Sequence, residues 1–364
     1  MKELSLFRFL IYYFAMHKPL DLHPDNALQC SYSETIIFAQ KIFRTSSVAI
    51  VTCLVLLSFI IPQRDTVSVA KVQNPTETLT VKANEVEPPD PSVPSYSPSS
   101  SMDLQQTLEK YGLWSIKNNS TIDPVLFTSF PDNLHTLSIA DKKTTFLHTL
   151  LPVALYANQM VENERLRLFE ILAMSGALPG DFSLKEIPAA WQKILSNKDK
   201  QWLLGLAKRY KAETIAQLKK RVRPVPVSLL LAQSALESSW GTSRFAREGN
   251  NLFGIRTWGE KGLVPGERET GSKFLVAQYD TILDSVNAYI LTLNSHHLYV
   301  KFRTLRMESQ DTEVLSGGLL FYSEKRKSYV TKVNRIIRYN RLKRFDTLHL
   351  ARYGESMAPK VAVN

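Results

Sequence analysis

One carboxylate in the sequence lies where an acid catalyst would be placed. An apolar run with helical spacing follows Pro226 and ends at Glu237, and Gly241 is a typical residue to stop the helix. Glu237 then lies in the last helical turn, at the negative end of the helix dipole and beside Trp240, and both features raise the pKa of its carboxyl. A carboxylic acid that holds its proton near neutral pH can protonate a glycosidic oxygen. The alternative is a solvated glutamate at a helix end.

The residues on both sides of Glu237 form two motifs of one enzyme family. The chain reads AQSALESSWG at 232–241 and NNLFGI at 250–255. Together they resemble the signature of family 73 glycoside hydrolases, bacterial endo-β-N-acetylglucosaminidases that cut peptidoglycan. Over residues 105–345 the chain resembles, more loosely, the Bax-type subgroup of this family. The resemblance implies an α+β, mainly α, lysozyme-like domain with a small β-hairpin lobe over a glycan groove, and Glu237 as the general acid.

The resemblance also implies a second carboxylate from the β-lobe, where the chain offers Glu267 and Glu269. Glu269 better matches the position just before the strand that leads to Phe274, so it is assigned to catalysis and Glu267 to substrate binding. An ordinary exposed turn residue is the alternative for both. Some members of the family rely instead on the N-acetyl group of the substrate.

Aromatic and amide side chains complete the expected site. Tyr322 matches the first tyrosine of the family's Tyr-Ala-Thr-Asp segment, although Ser323 and Glu324 replace Ala-Thr here. A phenol at this position can hydrogen-bond the N-acetyl group or the reacting centre. The expected substrate-binding residues, beside Glu267, are Trp240, Asn251, Phe253 and Trp258. Core packing is the alternative for Tyr322 and Phe253.

Composition and charge limit the classes of partner. The 364 residues are 44% hydrophobic and carry a net charge of +11, which favours anionic partners. Nine Lys and Arg residues lie between Lys325 and Arg344. A basic helix of this kind could bind nucleic acid, but export of the domain excludes that partner and favours anionic wall polymer, a membrane surface or plain solvation. Because His296 and His297 lack spaced ligand partners, we expect no metal, and no other cofactor.

The segment 45–61 is uncharged, mostly apolar and bounded by Arg44 and Pro62. It is at the short end of the roughly 17–25 residues that span a bilayer. Lys41 and Arg44 precede it, so the positive-inside rule keeps 1–44 in the cytoplasm and exports the rest. We therefore expect a single-pass protein of the bacterial inner membrane with its catalytic domain in the periplasm. A buried core helix and a cleaved signal peptide are the alternatives.

Beyond the anchor, the chain divides into three parts. Residues 62–104 are rich in Pro and Ser and predict a disordered linker. Residues 105–350 form the glucosaminidase domain, and 351–364 a C-terminal tail. Within the domain, apolar periodicity predicts helices over 142–168, 198–220 and 282–293. We expect Pro152 to kink the first helix and Asp280 to cap the third. The glycine-rich stretch 253–279 predicts the β-hairpin lobe.

Two other functions share these features. A lytic transglycosylase has a lysozyme-like fold and a Glu-Ser pair at the same helix end, but its Gly-Leu-Met-Gln type motif is replaced here by NLFG. A non-catalytic peptidoglycan-binding protein would not require the complete motif around Glu237. The sequence therefore favours a hydrolase whose partners are peptidoglycan glycan strands and the membrane.

Overall fold

The structure is a computed structural model that describes residues 89–117, 121–174, 182–185, 187–259, 261–266 and 273–351. All of these residues belong to one compact unit. The predicted cytoplasmic segment, the predicted anchor and almost all of the predicted tail lie outside them, as do Glu267 and Glu269. Within the described part of the chain, no helix has both the length and the apolarity needed to cross a membrane.

The described chain is α+β and mainly helical, as the sequence predicts. The helices are α1 (Ser101–Lys110), α2 (Ile139–Met174), α3 (Ala189–Ile194), α4 (Asn197–Arg209), α5 (Ile215–Arg221), α6 (Val227–Glu237), α7 (Arg244–Gly249), α8 (Ile282–Ser295), α9 (Val300–Glu308), α10 (Thr312–Ser316) and α11 (Arg326–Tyr339). The strands are β1 (Ser95–Tyr96), β2 (Thr121–Ile122), β3 (Leu126–Phe127), β4 (Arg256–Thr257), β5 (Gly262–Leu263), β6 (Leu275–Ala277) and β7 (His349–Leu350). Short 3₁₀ turns lie at Asp132–Thr136, His297–Tyr299, Gly317–Leu319 and Leu342–Phe345.

Regular structure occurs inside the segment predicted to be a disordered linker. β1 pairs in parallel with β3, with Ser95 opposite Leu126. Helix α1 follows, capped by the Ser100 side chain, and its Leu104 and Leu108 have no exposed surface. The predicted boundary between residues 104 and 105 is therefore wrong. Prolines dominate the composition of this stretch, but the apolar face of α1 buries enough surface to order it.

All three predicted helices differ in detail from the expectation. The stretch 198–220 forms two helices, α4 and α5, because Lys211 takes a left-handed conformation (φ 53°) and the Thr214 side chain caps the second helix. Helix α8 is capped by Thr281, not Asp280: Thr281 and Asp284 exchange hydrogen bonds in a capping box. Helix α2 is longer than predicted and continues on both sides of Pro152, which is itself buried in the core.

The predicted β-lobe is a three-stranded antiparallel sheet with the order β4-β6-β5. Arg256 and Leu263 both lie opposite Val276, on its two sides. A Cβ at Gly262 would stand 2.7 Å from the Leu275 Cβ, so the sheet closes only with glycine there. A second, two-stranded parallel sheet pairs β2 with β7 near the end of the domain.

Helix α6 lies at the centre of the helical body. All of its residues from Val227 to Ala235 are buried, and it packs against α2, α11 and the turn at Leu342–Phe345. A helix that is apolar on every side is enclosed by other elements. The residue that ends it, Glu237, is therefore held by a rigid and central part of the fold.

Candidate active site

The end of α6 is shaped by a turn of unusual backbone conformation. Ser238 is the C-cap, and the next three residues, Ser239, Trp240 and Gly241, have φ angles of 51°, 62° and 79°. The Ser238 hydroxyl donates to the Ser234 carbonyl (2.6 Å) and accepts from the Gly241 N–H (2.8 Å). Left-handed conformations are uncommon outside glycine, so this turn is specifically held. It sends the chain away from α6 and leaves Glu237 at an open end.

The Glu237 carboxyl is partly exposed at the surface and lies against the NLFG loop. Gly254 has a φ of 66°, and a Cβ there would stand 3.4 Å from Glu237 Oε2. Burial raises the pKa of Glu237, and a hydrogen bond from the Tyr329 hydroxyl lowers it by a smaller amount. The net shift is upward, as the sequence predicts, and its main cause is burial. The carboxyl can therefore keep a proton above its ordinary pKa.

Hydrogen bonds orient Tyr329 toward the carboxyl. The Tyr289 hydroxyl donates to Gln233 Oε1 (2.6 Å), and Gln233 Nε2 donates to the Tyr329 oxygen (2.9 Å). Because the Tyr329 oxygen accepts from Gln233, its hydroxyl proton is free to be donated to the Glu237 carboxyl. Gln233 and Tyr289 have no exposed surface, so water does not compete for these bonds. No local pattern in the sequence predicts these roles for Gln233 and Tyr329.

Tyr322 lies beside the acid but uses its hydroxyl elsewhere. Its ring stacks on Tyr329, with centroids 5.4 Å apart, and packs near Tyr299. Its hydroxyl donates to the Phe253 carbonyl at 2.8 Å. Burial raises the pKa of Tyr322 well above its ordinary value. The visible role of Tyr322 is to hold the NLFG loop beside Glu237.

Two predicted substrate-binding residues are structural. Asn251 is buried, and its amide nitrogen donates to the carbonyls of Ile255 and Ala277, both at 2.8 Å. Its amide oxygen accepts from the Ile255 N–H at 3.0 Å. Phe253 is also buried and stacks on Tyr289, with centroids 4.1 Å apart. In the structure neither side chain offers a free group or face to a ligand, and the role visible for each is structural.

The two predicted tryptophans do keep surface that a ligand can reach. Trp240 is partly exposed and packs edge-on against Phe146, with centroids 5.9 Å apart. Trp258 follows β4 in the lobe and is 46% exposed. Glu267 and Glu269 fall outside the described residues, in the connection between β5 and β6. The structure therefore places the acid and two aromatic residues at the surface and leaves the second carboxylate a prediction.

The described residues contain no cluster of three or more His, Cys, Asp or Glu side chains suited to a metal ion. What these residues offer chemically is the Glu237 carboxylic acid, which lies partly exposed at a helix end. Its pKa is raised, and the Tyr329 hydroxyl orients it. This is the group with which glycoside hydrolases protonate a leaving oxygen. The helical fold with a small β-lobe and a carboxylic acid of this kind match the requirements of the glycoside hydrolase class.

The comparison with known families agrees with that class. Residues 212–342 match the Glucosaminidase family, described as mannosyl-glycoprotein endo-beta-N-acetylglucosaminidase. The protein bax of Escherichia coli K12 is 30% identical over 217 residues, which are 56% of this chain and 71% of that protein. The chain belongs to this glucosaminidase family, as a protein of the Bax type, and is a glycoside hydrolase.

Two further similarities cover smaller shares of the chain. The peptidoglycan hydrolase FlgJ of Escherichia coli O157:H7 is 30% identical over 149 residues, 37% of this chain and 45% of FlgJ. The catalytic domain of the autolysin Auto from Listeria monocytogenes is 22% identical, with a TM-score of 0.27, over 42% of this chain and 89% of that domain.

Proposed function

We propose that this protein is a peptidoglycan hydrolase, an endo-β-N-acetylglucosaminidase that cuts β-1,4 bonds of the glycan strand with Glu237 as general acid. One observation supports the proposal above all: at the end of α6, burial raises the pKa of the Glu237 carboxyl, and the Tyr329 hydroxyl forms a hydrogen bond to it. The name of FlgJ, a peptidoglycan hydrolase, supports the choice of substrate.

In this proposal the domain is lysozyme-like, and the glycan strand lies between the helical body and the β-lobe. Glu237 protonates the glycosidic oxygen as the bond to the sugar breaks, and its pKa keeps that proton available. Gly254 leaves room for the sugar beside the carboxyl, where a side chain would crowd it. Trp258 provides an exposed face for a sugar ring. Glu269, or the N-acetyl group of the substrate, stabilises the positive charge that develops on the sugar.

The test is Glu237→Gln, which keeps the shape of the side chain and removes the proton donor. We expect lysis in a peptidoglycan zymogram to fall by about 10²–10⁴-fold, with an unchanged circular dichroism spectrum. The matched control is Glu248→Gln, which alters an exposed glutamate paired with Arg244 (3.1 Å) and should keep full activity. Near wild-type lysis by Glu237→Gln would disprove the assignment.

Mass spectrometry of the released sugar ends distinguishes the alternatives. Reducing N-acetylglucosamine ends support the proposed hydrolase. Products with 1,6-anhydro ends would identify a lytic transglycosylase. Binding to peptidoglycan without any product would identify a non-catalytic binding protein.

The proposal includes the location of the enzyme. Residues 45–61 would anchor the chain in the inner membrane, and the catalytic domain would lie in the periplasm, where peptidoglycan is found. Protease added to spheroplasts should digest the catalytic domain and spare a tag at residue 1. A protected catalytic domain would contradict this orientation.

A further inference from the structure

A lysine ammonium lies close to two aromatic rings that come from other elements of the fold. Lys143, near the start of α2, places its Nζ 5.1 Å from the ring centroid of Trp240 and 5.4 Å from that of Tyr339. Trp240 follows Glu237 by three residues, and Tyr339 ends α11. Three elements thus converge on one ammonium group. We name Lys143, Trp240 and Tyr339 the lysine clamp.

The clamp holds a charge without neutralising it. Cation–π contacts fix the position of an ammonium group but leave its N–H donors unused. Among the described residues, Lys143 forms no ion pair with a carboxylate. The ammonium is therefore positioned for an acceptor that the described chain does not supply.

The surface next to the clamp is positive as well. Lys332, Arg335 and Tyr339 follow the i, i+3, i+7 spacing of one face of α11, and all three are exposed. Arg338, next to Tyr339 in the chain, is instead paired with Glu313 at 3.9 Å. On the clamp side, neither Lys332 nor Arg335 has an ion pair within the described residues.

The exposure of Tyr339 supports a role in binding. Its side chain is 80% exposed, although a tyrosine at a helix end commonly packs against its neighbours. A ring exposed to this extent contributes little to folding. It does restrict the ammonium, which reduces the entropy lost when a ligand binds there.

We propose that the lysine clamp is a binding site for a carboxylate carried by the glycan strand, and that Lys143 is the residue that recognises it. The proposal rests on the proposed function for the nature of the ligand. The carboxylate can belong to a lactyl group on a sugar or to a peptide attached to the strand. In both cases the ammonium would anchor a part of the strand at a distance from the bond that Glu237 breaks.

The test measures binding by the full chain in detergent micelles, with Glu237→Gln present so that no strand is cut. Three probes are compared: peptide-free glycan strands with free lactyl carboxylates, strands with their peptides attached, and chitin oligosaccharides, which have no carboxylate. Lys143→Met should raise the dissociation constant for carboxylate-bearing strands about tenfold, as expected for the loss of a charge-assisted hydrogen bond. Binding of chitin oligosaccharides should not change.

The controls separate charge from structure. Lys110→Met removes the other described lysine that lies over an aromatic ring, Tyr111 at 5.9 Å, and should leave all dissociation constants unchanged. Tyr339→Phe should bind like the parent because it keeps the ring, whereas Tyr339→Ala should weaken carboxylate binding several-fold. An effect confined to peptide-free strands identifies the lactyl carboxylate, and one confined to intact strands identifies a peptide carboxylate.

Two results would overturn the proposal. Lys143→Met could bind carboxylate-bearing strands as tightly as the parent, or it could weaken chitin binding to the same extent. Both outcomes are independent of the proposed function, because cleavage by the wild-type chain is measured separately on peptidoglycan.

Discussion

Gln233 and Glu237 stand one turn apart on α6 and are connected through the hydroxyl of Tyr329. Gln233 Nε2 donates to that hydroxyl at 2.9 Å, and the hydroxyl donates to Glu237. The helix that carries the acid therefore also orients the acid's hydrogen-bond partner. Since Gln233 is itself held by Tyr289, the position of the Tyr329 proton is determined by buried groups. Two opposing influences on one carboxyl, burial and this bond, determine its pKa.

Tyr329→Phe should raise the pKa of Glu237 further, because it removes the bond that lowers the pKa and leaves the burial that raises it. The basic limb of the kcat/KM profile reports the loss of the general acid's proton, so it should move to higher pH. We also expect a lower kcat, since the carboxyl loses its orientation. The control is Tyr322→Phe, whose hydroxyl bonds to Phe253 and should not move this limb. If the basic limb of the kcat/KM profile stays at the same pH in Tyr329→Phe, the contact between Tyr329 and Glu237 is contradicted.

Glu237→Gln should stabilise the protein at neutral and higher pH. The pKa of Glu237 is raised by folding, so its ionised form destabilises the folded state above the folded pKa. Below the ordinary value of 4.5 the carboxyl is protonated in both states and the destabilisation disappears. Urea unfolding should therefore give the variant a larger free energy of unfolding at about pH 8, with a difference that vanishes as the pH falls below the ordinary value. A difference that grows at low pH would mean that the pKa is lowered instead.

Asn251→Ala should loosen the β-lobe and destabilise the domain. It removes the partner of the Ile255 N–H and one donor to each of the Ile255 and Ala277 carbonyls, and the Ile255 carbonyl keeps its bond from the Ala277 N–H. We expect a loss of about 2 kcal/mol. Hydrogen exchange of the Ile255 amide should accelerate, and activity should fall because the NLFG loop no longer holds its place beside Glu237. Asn163→Ala, at an exposed position on α2, should change stability by less than about 0.5 kcal/mol. Normal exchange at Ile255 in the Asn251 variant would show that the amide is dispensable.

The sequence predicted local features well and partners across the fold poorly. Helix periodicity and the Gly241 stop are sufficient to place Glu237 at a helix end. The choice of Tyr329 over Tyr322 as its partner depends on how α11 packs against α6, which no local pattern records. Asn251 is a similar case. Its place in the NNLFGI motif predicts a functional residue, but only its contacts with Ile255 and Ala277 show that it holds the β-lobe together.

Errors at element ends have a different origin. Asp280 and Thr281 are both good capping residues, and the capping box with Asp284 selects the second. At residues 89–104, composition favoured disorder because prolines and serines are abundant. The burial of two leucines of α1, Leu104 and Leu108, in the core nevertheless stabilises an ordered structure there. Burial is a property of the assembled fold, so composition alone underestimated it.

The second carboxylate gives the last prediction. Glu269→Gln should reduce kcat strongly with little change in glycan binding, because a carboxylate that activates water or stabilises the sugar cation acts mainly in the transition state. Glu267→Gln is the matched control and should be mild, since alternate residues of an extended segment point to opposite faces and only one can meet the groove. Each variant needs kcat and KM on defined glycan strands, together with identification of the released ends. If neither substitution reduces kcat and the ends are still reducing N-acetylglucosamine, the substrate's N-acetyl group must supply the missing assistance. Tyr322→Phe should lower activity under either mechanism, through loss of the hydroxyl that holds the NLFG loop beside Glu237.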